Sequence, residues 1–233
     1  MIEVVFWIIL VLSSVVVCSY IAREYGAEIL IGVFASLTVL SNIIAFKLVT
    51  FGPFIVPSAV IAYSTTFLIT DILSEFYGKK TALKAVHSAI LANVLMVAII
   101  FIALSWPPAP LMSSDALSSF NSVFSFAPRV IAASLIAFVV SQHHDVIAFH
   151  FWKKKTEGKH LWLRNNASTM VSQLLDTAIF ITIAFYGLPS AVLLNMIFGQ
   201  YLVKLLIAAL DTPFIYLASF VMREKSSLEV IEA

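Results

Sequence analysis

The sequence predicts an all-α polytopic membrane protein, a bundle of six or seven transmembrane helices, and three observations lead there. Hydrophobic residues fill 61% of the 233 positions, against roughly 45–50% in a soluble domain. Mean hydropathy is +1.01. The apolar residues also come in runs near the length of about 20 that a helix needs to cross a bilayer core. Seven runs qualify, at approximately Ile2 to Ala22, Ala27 to Val49, Phe54 to Leu73, Ala82 to Trp106, Arg129 to Phe151, Val171 to Tyr186 and Ala191 to Met222.

Each run carries its own signals. The first reads as a span and not a cleavable leader, because Glu3 is its only early charge and Ser19-Tyr20-Ile21-Ala22 makes a poor cleavage site. The last is long enough to tilt or break, and Asp211-Thr212-Pro213 is the natural place for a kink, since proline removes a backbone donor. Between the fourth and fifth runs, Pro107 to Pro128 is too short and too rich in Pro and Ser for a domain. Its Phe120, Phe124 and Phe126 suit a short amphipathic piece at the interface.

Seven crossings place every Lys and Arg except Lys47, Arg129 and Lys204 on one side. Basic residues in short loops mark the cytoplasm, so the N-terminus is expected outside and the C-terminus inside. The whole chain, 1–233, is read as a single transmembrane domain. Topology accounts for the basic residues, so a net charge of +1 points to no nucleic acid. Cys18, the single cysteine, excludes an internal disulfide and a cysteine metal cluster.

Function is sought where the chain breaks the apolar rule. Asp71, Asp145, Asp176 and Asp211 lie inside the runs, with Lys204 among them. An ionisable group at a helix centre costs about 3 kcal/mol or more in hydrocarbon, so such groups face a bundle interior or a wet cavity. At about 1.5 Å per residue, Asp71, Asp145 and Asp176 sit roughly 12–18 Å from the basic loops. They are expected to meet in one polar layer that Asp211 can join, with Lys204 nearer the midplane to neutralise one carboxylate. Ser141-Gln142-x-x-Asp145 on the fifth run is echoed by Ser172-Gln173-x-x-Asp176 on the sixth. Gln and Asp three apart share a helix face, so each run offers an amide and a carboxylate to a common cavity. The echo fits a local pseudo-two-fold axis, as in carriers built from inverted repeats. It fits equally two polar pairs that merely bond each other. Asp71 and Glu75 share a face of the third run. Glu75 reads as an interfacial partner of Lys79 and Lys80, or as a gating charge, and Gly78 as a helix stop.

Taken together, Ser41-Asn42, Thr70-Asp71-x-x-x-Glu75-x-x-Gly78, Arg129, Gln142-x-x-Asp145-Val146, Ala167-Ser168-Thr169 through Asp176-Thr177, Lys204 and Pro213 resemble the queuosine precursor transporter family, also called the vitamin uptake transporter family. The likeness runs from about Ile31 to Val221. It implies a multispan inner-membrane carrier that imports a 7-deazapurine precursor of modified tRNA bases, such as 7-cyano-7-deazaguanine, by secondary or facilitated transport. It marks Asn42, Asp71, Glu75, Arg129, Gln142, Asp145, Asp176 and Lys204. To these the residue chemistry adds Gln173 for substrate binding and Asp211 for charge pairing. Two features depart from the family pattern: the span over about 2–22 is extra, and His143-His144 stand where apolar residues are expected.

The chemistry is compatible with such a substrate, since a carboxylate beside an amide can satisfy the adjacent donors and carbonyl of a guanine-like edge while aromatic walls cover its faces. Two rivals remain. A substrate-capturing subunit energised by a separate ATPase complex would also lack nucleotide motifs, and Gly78-Lys79-Lys80-Thr81 lacks the first glycine of a P-loop. An intramembrane metalloenzyme built on His143, His144 and His150 would need a third ligand motif that the sequence does not offer. No enzymatic step and no cofactor are expected. The expected partners are the small-molecule substrate and the lipid bilayer, with a homodimer left open.

Overall fold

A computed structural model describes residues 2–45, 47–125 and 128–232, with side chains over 4–45, 47–125 and 129–223. Phe126 of the expected interfacial piece lies outside the described residues, as does the side chain of Lys225. The helices are α1 (Ile2–Tyr25), α2 (Glu28–Ile44), α3 (Val60–Phe76), α4 (Lys79–Ser105), α5 (Ser114–Phe124), α6 (Pro128–Lys155), α7 (Leu161–Ala184) and α8 (Ser190–Glu232). Stretches containing α1, α4, α6, α7 and α8 are long and apolar enough to cross a membrane.

The second and third runs are the main correction. They do not continue as helices toward each other: β1 (Leu48–Phe51) and β2 (Phe54–Pro57) form a short antiparallel hairpin between them, within an otherwise all-α bundle. Pairing of Phe51 with Phe54 leaves Gly52-Pro53 as a two-residue loop. Gly52 has φ +59°, the left-handed value that glycine supplies at the first central position of a II′ turn. Pro53 cannot donate to a helix, and Val49, Thr50, Ile55 and Val56 are β-branched. Ser58 ties the hairpin down, its hydroxyl donating to the Ile44 carbonyl (2.6 Å) and its N–H to that of Lys47 (2.7 Å). As a result α2 and α3 have 17 residues each, about 25 Å.

Helix α3 runs through the centre, buried from Val60 to Ser74 except at the partly buried Tyr63. A Thr-rich helix is tolerable there because its hydroxyls return to carbonyls of the preceding turn: Thr65 to Ile61 (2.9 Å), Thr66 to Tyr63 (2.6 Å) and Thr70 to Phe67 (2.9 Å). Around it α4 buries Ala82, Ala85, Val86 and Ala89 and presents Leu91, Leu95, Ile99 and Ile102 outward. Small residues inside and large apolar ones outside suit a lipid-facing helix. The expected short piece is a helix, α5, capped by Ser113 and packing Phe120 against Phe124 in a tilted pair. Helix α8 does not break but continues through Pro213.

Apart from the short α5, successive helices reverse direction, which gives the bundle a basic end and a hairpin end. At the basic end Tyr77 donates to the Ala22 carbonyl (2.8 Å) and Arg23 to that of Val221 (3.0 Å), joining α1, α3 and α8.

Candidate functional site

Glu75 organises the basic end. Arg164 lies 2.7 Å from Oε1, Lys153 3.0 Å from Oε2 and Arg223 3.7 Å from Oε1. Its cations therefore come from α6, α7 and α8, a correction to the expected pairing with Lys79 and Lys80. Long side chains reach across the bundle, and the basic end of α3 sits at its axis. Arg164 is also no loop residue. It is fully buried, close to the Phe149 ring and donating to the carbonyls of Gly158 and Lys159. One carboxylate thus clamps three other helices onto α3.

At the hairpin end lies a cavity of about 440 Å³ lined by Asn42, Asn93, Ser134, Phe180, Met196, Gln200 and hairpin residues Leu48, Ile55 and Pro57. A smaller pocket of about 70 Å³ continues it inward, sharing Asn42, Ser134, Phe180 and Gln200 and reaching Tyr63, Asp176 and Lys204. Lys204 Nζ donates to Asp176 Oδ2 (2.5 Å), Tyr63 to Oδ1 (2.6 Å) and Ser141 to Oδ1 (3.2 Å). The ammonium also lies 5.2 Å from the Tyr63 ring centroid. Higher in the cavity Asn42 donates to Asn93 (2.5 Å) and accepts from Ser134 (2.8 Å). Its floor is therefore a buried ion pair and its wall carries carboxamides.

Asp71, Asp145 and Asp211 form a separate, closed layer toward the basic end. The carboxyls of Asp71 and Asp145 lie side by side with Thr169 next to Asp71, and Asp211 is near both. Thr70 donates to Asp145 Oδ2 (3.3 Å) and Asn165 to Asp211 Oδ1 (3.0 Å). Both oxygens of Asp71, Oδ1 of Asp145, Asn165 Oδ1 and Thr169 Oγ1 are buried with no hydrogen-bond partner. The expected single layer of carboxylates is thus two groups, because Lys204 and Tyr63 hold Asp176 apart.

Of the expected substrate-binding residues, Asn42, Asp176 and Lys204 meet at the cavity. Gln142 does not line it, donating instead to Thr66 (3.1 Å) in the seam between α3 and α6. Gln173 is buried in α7 without a partner for its amide. Asp71 and Asp145 belong to the closed layer. Arg129 donates to the Tyr186 carbonyl (3.3 Å), joining the hairpin-end tips of α6 and α7. The echoed motifs do face each other: Ser141 of one donates to Asp176 of the other, and Ser172 lies beside Asp145.

Sequence reasoning missed Tyr63, Asn93, Ser134, Gln200 and the buried role of Arg164. A signal existed for Arg164. Arg164, Asn165, Ser168, Thr169, Ser172, Gln173, Asp176 and Thr177 recur at helical spacing, and all are buried. For Tyr63 and Gln200 none existed beyond a polar atom in an apolar run. Among the described residues no three His, Cys, Asp or Glu side chains gather where they could hold one metal ion.

A helical bundle with an internal polar pocket and an outward apolar surface has the make-up of a multi-pass membrane protein. Residues 57–218 match the family model described as "Putative vitamin uptake transporter", and the chain belongs to that family. It is 32% identical over 91% of its length, and 93% of the relative's, to a "Probable queuosine precursor transporter" of Bacillus subtilis. It is 26% identical over 58% of its length, and 62% of the relative's, to a "Queuosine precursor transporter" of Escherichia coli. No solved structure matches.

Proposed function

We propose that this protein imports a 7-deazapurine precursor of queuosine, such as 7-cyano-7-deazaguanine, across the inner cell membrane by secondary or facilitated transport. The observation that carries the reading is the Asp176–Lys204 pair at the floor of a cavity with carboxamide walls. A guanine-like edge offers adjacent N–H donors, which Asp176 accepts, and a carbonyl, to which Lys204 donates. Asn42, Asn93 and Gln200 offer amides to the remaining edge, and Tyr63 and Phe180 offer ring faces. The outer cavity of about 440 Å³, onto which the pocket of about 70 Å³ holding the ion pair opens, falls in the ordinary range for a small-molecule site. The names of the Bacillus and Escherichia relatives support the substrate class.

In this reading residues 1–233 form one transmembrane domain with the N-terminus outside and the basic end in the cytoplasm. The cavity then faces outward, and the Glu75 cluster closes the inner side. No covalent chemistry and no cofactor are involved, and a homodimer is compatible with the exposed apolar faces of α1 and α4. Uptake of radiolabelled 7-cyano-7-deazaguanine into liposomes containing only this polypeptide is the test. Saturable uptake supports the proposal. Binding without uptake would make the chain the capturing subunit of a larger assembly, and neither would reject the substrate.

A further inference from the structure

The two echoed motifs are alike in sequence and unlike in charge. Asp176 has a lysine, whereas Asp145 has a second carboxyl beside it. Every cation near the closed layer, among the described residues, is engaged elsewhere. Lys204 on α8 is held by Asp176, Arg164 on α7 and Lys153 on α6 by Glu75 of α3, and His144 on α6 contacts the Ser172 hydroxyl (2.9 Å). Arg23 on α1 reaches the Val221 carbonyl, and His87 on α4 faces His143 on the outer side (3.3 Å). Among the described residues, Asp71, Asp145 and Asp211 are thus buried together without a countercharge. Like charges at contact in a low-dielectric interior cannot all stay ionised.

The pattern of unpartnered atoms indicates what is missing. The oxygens that Asp71 and Asp145 leave unpartnered are all acceptors and offer each other no donor. One proton placed between them creates an O–H donor and an acceptor at once. The hydroxyl of Thr169 and the amide oxygen of Asn165, fully buried and also unpartnered, supply a donor and an acceptor at the same spot. A metal ion fits less well, because among the described residues no three acids gather closely enough to share one.

We propose that the Asp71–Asp145 pair, with Asp211 beside it, is a proton site separate from the substrate cavity, and that its loading and release drive accumulation of the substrate. This rests on the transport reading above. In the cycle a proton from one compartment forms an O–H bond on one carboxylate of the pair, and that bond breaks to release the proton into the other compartment. One substrate molecule crosses with it. A chain of side chains along α3 links the two sites. Tyr63 bonds Asp176, Thr66 accepts from Gln142 a turn further on, and Thr70 contacts both Gln142 (3.4 Å) and Asp145 (3.3 Å).

The test has two arms, so that failure of the substrate reading and failure of the proton site give different results. In the first, purified protein without substrate is titrated from acid to alkaline pH while the infrared carbonyl band of neutral carboxyl groups is followed. The wild type should show a band that disappears as pH rises, and Asp145→Asn should remove or shift it, with Asp211→Asn as the second variant if the first does not fold. Absence of any such band at neutral pH, or a band unchanged in both folded variants, would overturn the site. In the second, liposomes loaded with 7-cyano-7-deazaguanine are assayed for exchange and for accumulation driven by a pH gradient. The expected result is that Asp145→Asn exchanges substrate but loses at least tenfold in accumulation. Accumulation equal to wild type, or accumulation that follows sodium instead of pH, would overturn the coupling. A positive first arm with no exchange by wild type would leave the proton site standing and reject the substrate.

Discussion

Asp176 and Lys204 illustrate how little a residue's identity says without its neighbours. The sequence offers four intramembrane carboxylates and one lysine and leaves the pairing open. The structure selects Asp176, since α7 and α8 adjoin and Tyr63 completes the acceptor's coordination. Removing one member of a buried pair typically costs about 3–5 kcal/mol because the other charge is stranded. Lys204→Ala is therefore expected to lower the thermal unfolding midpoint strongly. Adding Asp176→Asn should recover most of the loss, whereas Asp145→Asn or Asp211→Asn should not. Additive losses in the Lys204→Ala, Asp176→Asn double variant, measured by thermal unfolding in detergent, would contradict the pairing. The same scale shows why Gln200 and Ser134 escaped notice: a lone polar residue in an apolar run reads alike whether it faces a cavity or bonds its own helix.

At the scale of elements, periodicity revealed the long helices and concealed the hairpin. Leu48 to Pro57 is as apolar as its flanks, and hydropathy does not distinguish a strand from a helix within such a run. Gly52-Pro53 was the available signal, and the reading of seven apolar runs took it only as a boundary between two of them. Polar α3 shows the opposite limit: its Thr and Ser residues mark a helix surrounded by protein, which composition alone does not locate. The element-level claim most open to test is that Glu75 clamps the basic end. Glu75→Gln strands Arg164, which is fully buried, and a loss of about 3–5 kcal/mol is expected. Arg223→Ala, removing a largely exposed partner with 67% side-chain accessibility, should cost less than about 1 kcal/mol. Equal shifts of the unfolding midpoint in the two variants would show that the clamp does not depend on the buried arginine.

For the whole molecule, the membrane class and most helices were legible in composition, and the resemblance to the transporter family is matched by residues 57–218. What remained hidden was the division of the polar interior into a lysine-neutralised cavity and an acidic layer, which depends on which faces of distant helices meet. Orientation is tested in a Cys18→Ser background. A cysteine in the loop between α6 and α7, residues 156–160, should resist an impermeant reagent added outside intact cells, and one near Ser118 on α5 should react. The reverse pattern would invert the proposed topology and with it the direction of the cavity. The central claim, that a 7-deazapurine sits on Asp176 and Lys204, is tested most directly by the Kd of 7-cyano-7-deazaguanine for the purified protein and its folded variants. Asp176→Asn and Asn42→Ala should each weaken binding at least tenfold, about 1.4 kcal/mol or more, while His87→Ala on the outer face of α4 leaves it unchanged. Wild-type affinity in Asp176→Asn would place the substrate elsewhere and contradict the account.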